Sequence, residues 1–268
     1  MPRFSLEQVL ELSKRHRVVP LIETIFSGSD TPLAIFDKVT KGKQGTFLLE
    51  SAEHGVWSRY SFIGVNNRGS LTQTSNGSVA WTSADGHSAL PADTGESLPD
   101  SALEAVARLH ASWNSQPIEG LPPLTSGLVG ALAWDTIREI EHLPNRPPQR
   151  YNSPNMVFQM FRDLIIVDHH ESNLLLVSNI FIEGQSASEI AELYAQAEQQ
   201  LQQLRVSLMQ PSEPFLAVRN QSDLEQVKAN FERAEFVAMV EKAKLHVAAG
   251  DVFQAVSYTH LTLPTILL

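Results

Sequence analysis

The chain reads as an α+β protein, rich in antiparallel strands and flanked by helices. Three observations predict this. Met156 to Asp168 and Asn173 to Ile182 are long apolar segments separated only by the polar stretch His169 to Ser172, a connection too short for anything but an antiparallel pair. Ser70 to Thr74 and Ser78 to Thr82 flank Asn76-Gly77, the dipeptide that best tolerates the backbone of a tight hairpin. Ile190, Leu193, Ala197, Leu201, Leu204 and Leu208 recur at spacings of three and four, which makes Ser188 to Leu208 an amphipathic helix. Several strands followed by helices, rather than alternating with them, is the order of an α+β fold.

Ser5 opens the first helix. Ser5 and Gln8 have capping-box spacing, and Phe4 and Val9 stand where a hydrophobic staple forms. Val9, Leu12 and Leu6 supply its apolar face, and Pro20 follows its end. A strand-rich region comes next. Leu33 to Phe36 is a short apolar run in it, and Thr46 to Leu49 and Tyr60 to Val65 are strands joined by a polar loop. Ala84 to Asp100, rich in Gly, Pro, Ser and Asp, reads as an exposed loop. A helix covers Ser101 to about Trp113. Gly127 to Trp134 reads as a small-residue strand whose glycines imply close backbone approach. Asn145 to Pro154 is a proline-rich crossing. Gln210 to Gln221 behaves as a linker, and Ser222 with Glu225 offers another capping box. Phe236, Val240, Ala243 and Val247 continue at helical spacing to a stop at Gly250. Asp251 to Ala255 starts a further strand.

Composition excludes several function classes. With 20 Lys and Arg against 30 Asp and Glu, the net charge is −10, the wrong sign for a nucleic-acid or anionic-membrane surface. The chain has no cysteine, so a disulfide scaffold, a cysteine zinc site and a cysteine nucleophile are ruled out, which fits a cytoplasmic protein. The opening residues lack the apolar core of a signal peptide. The apolar runs are strand-sized, far short of a bilayer span.

No phosphate loop, dinucleotide fingerprint, nucleophile elbow or zinc-helix motif is present. Asp168-His169-His170 contains metal-ligand residue types, but spacing fixes no third ligand, and a turn between two strands accounts for it better. Glu139, Glu141 and His142 read as a solvated stretch. Leu48-Leu49-Glu50-Ser51 ends an apolar strand in a carboxylate beside a hydroxyl. That pair can hold an ammonium group and a polar edge, or it can simply start a surface loop.

Four segments in order carry a family resemblance. They are Phe47 to Ser51 followed by Arg59 to Gly64; Leu121-Pro122-Pro123 with Gly127 to Gly130 and Asp135; Phe161 to Leu164 with Asp168-His169; and Glu241 to Lys244 with Ala249 to Gln254. Together they resemble the N-terminal half of anthranilate synthase component I, of the chorismate-using enzymes. Ala131, Ala133 and Trp134 depart from the family's usual Tyr, Gly and Tyr.

The resemblance implies an enzyme of tryptophan biosynthesis. Chorismate and ammonia become anthranilate and pyruvate, a lyase reaction. A glutamine amidotransferase subunit supplies the ammonia, Mg²⁺ holds a substrate carboxylate, and L-tryptophan inhibits from a separate site. It implies Ser51 as the first effector contact, Glu50 as the next and Arg59 as a further candidate. It assigns no catalytic residue and no metal ligand here, because the family's chorismate- and Mg²⁺-binding motifs lie C-terminal to Gln254. Residues 1–209 are then a regulatory domain, 210–222 a linker, and 223–255 the start of a chorismate-binding domain. Val256 to Thr265 matches a translated reading frame of a sequencing-library transposase adapter, so 256–268 is expected to be a non-native tail and the chain a truncated, inactive fragment. Two alternatives stand beside this: the aminodeoxychorismate synthase component of the 4-aminobenzoate pathway, and a stand-alone amino-acid-binding module.

Overall fold

In a computed structural model, residues 3–50, 59–74, 76–83, 85–113, 117–144, 153–211 and 231–256 are described. Helix α1 (Leu6–Leu12) begins at Ser5 as its capping box predicts: the Ser5 hydroxyl accepts from the Gln8 amide and the Gln8 side chain accepts from the Ser5 amide. Two amide groups left unpaired at a helix start are thereby satisfied. Val9 is fully buried, with Phe4, Leu10 and Leu12 packed around the same core.

Strand β1 (Val18–Phe26) is not foreseen by the sequence, because Pro20 lies within it. The sheet order resolves the conflict. Among the described residues β1 is an edge strand paired only with β7 (Asn173–Phe181), and an edge tolerates the missing proline amide. Helix α2 (Pro32–Thr40) corrects the reading of Leu33 to Phe36 as part of a strand-rich region. Thr31 caps it through the Ala34 amide, Pro32 sits in its first turn and Lys41 closes it in a left-handed conformation. A four-residue apolar run carries no period of its own, so the cap decides.

Strand β2 (Phe47–Leu49) pairs with β3 (Tyr60–Gln73). The sequence divides β3 in two at Asn66 to Gly69. It is one strand, carried through that polar stretch by register shifts between Gly64 and Gly69. The hairpin to β4 (Val79–Thr82) forms as Asn76-Gly77 predicts. Ala84 to Asp100 is not wholly exposed: Ala89 and Leu90 are buried, and the Trp113 indole donates to the Ala89 carbonyl at 2.7 Å. Helix α3 (Ala102–Trp113) follows. Strand β5 (Leu128–Leu132) stops short of Trp134, which starts a 3₁₀ turn through Glu139. Close approach at its glycine is confirmed: a Cβ on Gly130 would lie 2.0 Å from the Val157 carbonyl oxygen.

The long strand β6 (Met156–Asp168) organises one antiparallel seven-stranded sheet, ordered β1-β7-β6-β3-β2, with β5 on β6 and β4 on β3. Strand periodicity sends alternate residues to opposite faces. On one face Val19, Leu21, Ile63, Ile165, Leu174 and Leu176 pack under helix α4 (Ala187–Leu208), whose Ile190, Ala197, Leu201 and Leu204 are buried as their spacing predicts. On the other face Leu71, Met156, Met160 and Phe181 meet Leu109 and Trp113 of α3. Farther along, Ile22, Phe161, Leu164, Ile166 and Val177 form a third cluster with Leu121 and Leu124.

The chain divides into two compact units, Met1–Glu213 and Pro214–Leu268. The second contains helix α5 (Arg233–Ala249), ended by Gly250 at φ 82°, as the sequence anticipates. Residues 251–256 form no strand, contrary to expectation. The Ser222–Glu225 capping box and the tail after Val256 lie outside the described residues.

Candidate effector site

Three strand ends converge at one edge of the sheet. Leu49 of β2 pairs with Phe62, which brings Glu50 to the level of Ser61, and Tyr60 pairs with Asp168 at the end of β6. Glu50 is exposed and makes no ion pair among the described residues. Ser51, the other predicted contact, lies outside them.

Arg59, the further candidate, is committed to a partner. Its Nε and Nη2 donate to the Asp168 carboxylate, the Nη2 bond at 2.7 Å, and its guanidinium lies 4.9 Å from the Tyr60 ring centre. A planar fork on a carboxylate fixes orientation as well as charge. The same carboxylate accepts the His170 and Glu171 amides, which folds Asp168 to Glu171 into the turn between β6 and β7. Burial pushes the Asp168 carboxyl up, but the Arg59 and backbone hydrogen bonds outweigh it and hold it below its ordinary value. Hydrogen bonding to Asp168 raises Arg59, against the desolvation that lowers it. Burial raises the Tyr60 phenol.

Sequence reasoning missed Ser61 and His169 as a pair. The Ser61 hydroxyl and His169 Nε2 are 2.8 Å apart although 108 positions separate them. Only the β3–β6 register joins them, and no local spacing signals it. The convergence therefore offers an exposed carboxylate at Glu50 with no ion pair among the described residues, an oriented guanidinium at Arg59 and a hydroxyl–imidazole pair. Opposite charges flanking polar groups can bind a zwitterion's ammonium and carboxylate. Asp168 and His169 belong to this turn and ion pair. Among the described residues, no group of three or more His, Cys, Asp or Glu side chains could hold a metal ion. No helix among the described residues is long and apolar enough to cross a membrane.

Glu139, Glu141 and His142 are exposed, as the solvated-stretch reading has them, and Glu139 has a second role that the sequence does not signal. Its carboxylate accepts from the Ser101 hydroxyl, the Ala102 and Leu103 amides and the Gln73 side chain, and so caps α3 across 38 positions or fewer. Desolvation raises its carboxyl, and those hydrogen bonds bring it below its ordinary value.

The chain is 34% identical over 255 residues to anthranilate synthase component 1 of Mycobacterium tuberculosis, covering 94% of this chain and 48% of that protein. The same-named protein of Arthrobacter globiformis is 29% identical over 94% of the chain and 46% of its own length. The chain thus spans about half the length of the curated relatives it matches. Anthranilate synthase component I from Streptococcus pneumoniae has a similar fold, with a TM-score of 0.54 at 18% identity, over 85% of this chain and 46% of that one. A family model described as chorismate binding enzyme matches residues 46–265, a range that includes residues 256–265 of the segment set apart as adapter-derived. A match over most of the chain, with relatives and fold in agreement, places this protein in the chorismate-binding enzyme family.

Proposed function

We propose that this chain is the N-terminal part of an anthranilate synthase component 1. The complete protein takes chorismate and glutamine-derived ammonia to anthranilate and pyruvate, the step that commits chorismate to tryptophan. Ammonia adds to the ring as the ring hydroxyl leaves, and pyruvate is then eliminated. The observation that carries this reading is the 34% identity to anthranilate synthase component 1 across 94% of the chain. Residues 1–209 form the regulatory part, and L-tryptophan binds where β2 ends. Glu50 faces the ammonium there and Ser51 supplies a further polar contact. Mg²⁺ and a glutamine amidotransferase partner belong to the reaction of the complete protein, which is cytoplasmic.

The test uses a protein of the relatives' full length carrying this sequence up to Ala255. With chorismate, Mg²⁺ and ammonia it should release fluorescent anthranilate. Release of 4-amino-4-deoxychorismate instead would assign it to the 4-aminobenzoate pathway. Tryptophan should inhibit it. In Ser51→Ala, loss of one hydrogen bond to a buried polar group, about 1–3 kcal/mol, should weaken inhibition by about 5- to 150-fold. Turnover without tryptophan should stay near wild type, since effector and substrate sites are distinct. An unchanged inhibition constant removes Ser51 from the site.

A further inference from the structure

The edges of the sheet are not alike. β1 carries Pro20, and its Ile22 carbonyl accepts the Arg3 amide at 2.7 Å. β2 and β4 are only 3 and 4 residues long. Short strands and proline are ways of blunting an edge against further pairing. β5 has neither. Among the described residues it pairs only with β6, and its sequence, Leu-Val-Gly-Ala-Leu, holds no charge and no proline. Gly130, Ala131 and Leu132 are exposed. An uncharged free edge of this kind is a template for another strand.

The turn after β5 anchors itself through polar groups and turns apolar ones outward. Thr136 is buried and its hydroxyl donates to the Asn155 carbonyl at 3.1 Å, while Glu139, three positions on, caps α3. Trp134, Ile137 and Ile140 recur at the same interval, the period of a 3₁₀ turn, and so form a separate row. They are 89%, 37% and 67% exposed. Leu132 precedes the row and also lines a groove of about 490 Å³ with Leu103 and Val106 of α3 and Phe158 of β6. A single exposed apolar side chain is ordinary. A bare strand edge, an outward apolar row and an apolar groove that meet at Leu132 mark a surface that something covers.

We propose that the C-terminal part of the complete protein docks here, laying an extended segment along β5 and apolar side chains against the row and groove. This rests on the chain being the N-terminal part of an anthranilate synthase component 1. Chain length favours this occupant. The match spans 48% of the Mycobacterium tuberculosis relative, so about half of a complete protein is further polypeptide tethered to this unit. A tethered segment acts at an effective concentration of about millimolar, well above that of a second copy or a separate subunit in dilute solution.

The test compares amide hydrogen exchange in the 268-residue chain with that in the protein of the relatives' full length carrying this sequence up to Ala255, each at a low and a high concentration. Residues 128–143 should exchange about tenfold more slowly or better in the longer protein, whereas α4, already packed on the sheet, should change little. Trp134→Ser should leave the thermal midpoint of the 268-residue chain unchanged, since the side chain is exposed there, and should lower that of the longer protein by several degrees. Equal exchange of residues 128–143 in the two proteins overturns the proposal. Protection that grows with concentration in the 268-residue chain overturns it in favour of a second copy. Protection that appears only on adding the glutamine amidotransferase subunit overturns it in favour of that subunit. Failure of the anthranilate synthase reading shows separately, as another product or none, and exchange is read whatever the product.

Discussion

Arg68 puts a guanidinium inside the apolar layer between the sheet and α3. It is 6% exposed, lies 4.8 Å from the Trp113 ring centre and 4.6 Å from that of Phe181, and is ion-paired with Glu183. Burial lowers its pKa, and Glu183 opposes that effect. Removing one member of a buried pair leaves the other uncompensated, so Arg68→Met should cost about 3–5 kcal/mol in urea unfolding. Replacing both, as Arg68→Met with Glu183→Leu, should recover much of that loss, because no charge is then stranded. Equal destabilisation of single and double variants would assign the loss to packing against Trp113 and Phe181. Asp168 gives a pH-dependent case. Its folded carboxyl lies below its ordinary 3.8, so its contribution is complete above that pH and is lost as pH falls through the lower folded value. Asp168→Asn should therefore be less stable than wild type at neutral pH, and the gap should narrow as pH falls below about 4. A gap that stays constant from pH 7 to pH 2 would mean the Arg59 pair contributes nothing through ionisation.

At the scale of elements, β5 depends on a glycine for space. A Cβ at Gly130 would stand 2.0 Å from the Val157 oxygen and 2.7 Å from the Phe158 Cα, both backbone atoms of β6 that no rotamer change can move. Gly130→Ala should force β5 off β6 and cost about 1–3 kcal/mol or more, as overpacking does. Hydrogen exchange should then rise in Leu128–Leu132, where the wild type is paired. Gly77 is the contrast: it needs its positive φ of 92°, but nothing lies within 4 Å of its missing Cβ. The first turn of α3 relies on Glu139, which gathers two amides and a serine hydroxyl there. Glu139→Ala should cost about 1 kcal/mol, the usual worth of a helix cap, and should fray α3 from Ala102.

For the whole molecule, the proposed reaction belongs to a protein about twice as long. The 268-residue chain alone should form no anthranilate from chorismate, Mg²⁺ and ammonia, since it corresponds to only about half the length of the relatives that carry that name. Fluorescence above the protein-free control, abolished by EDTA, would refute this. Buried clusters lie on both faces of the sheet around β6, so the Met1–Glu213 unit has the packing needed to fold around its own strands.

The sequence by itself determined the elements whose signals are local. The Ser5–Gln8 cap, the Asn76-Gly77 hairpin, the β6–β7 pair with its four-residue turn and the apolar stripe of α4 each follow from neighbours a few positions apart, where period and cap chemistry act. The family was legible for a related reason, in ordered short segments. Tertiary structure alone decided the rest. Pro20 is compatible with β1 only because β1 is an edge, and the polar stretch Asn66 to Gly69 continues β3 only because β6 accepts its bulges. Glu139 is a cap only because its 3₁₀ turn is brought against the start of α3, and Ser61 meets His169 only because the β3–β6 register joins residues far apart in sequence. Local propensity is a weak preference, worth tenths to about 1 kcal/mol per residue, and long-range pairing and burial override it wherever they act together.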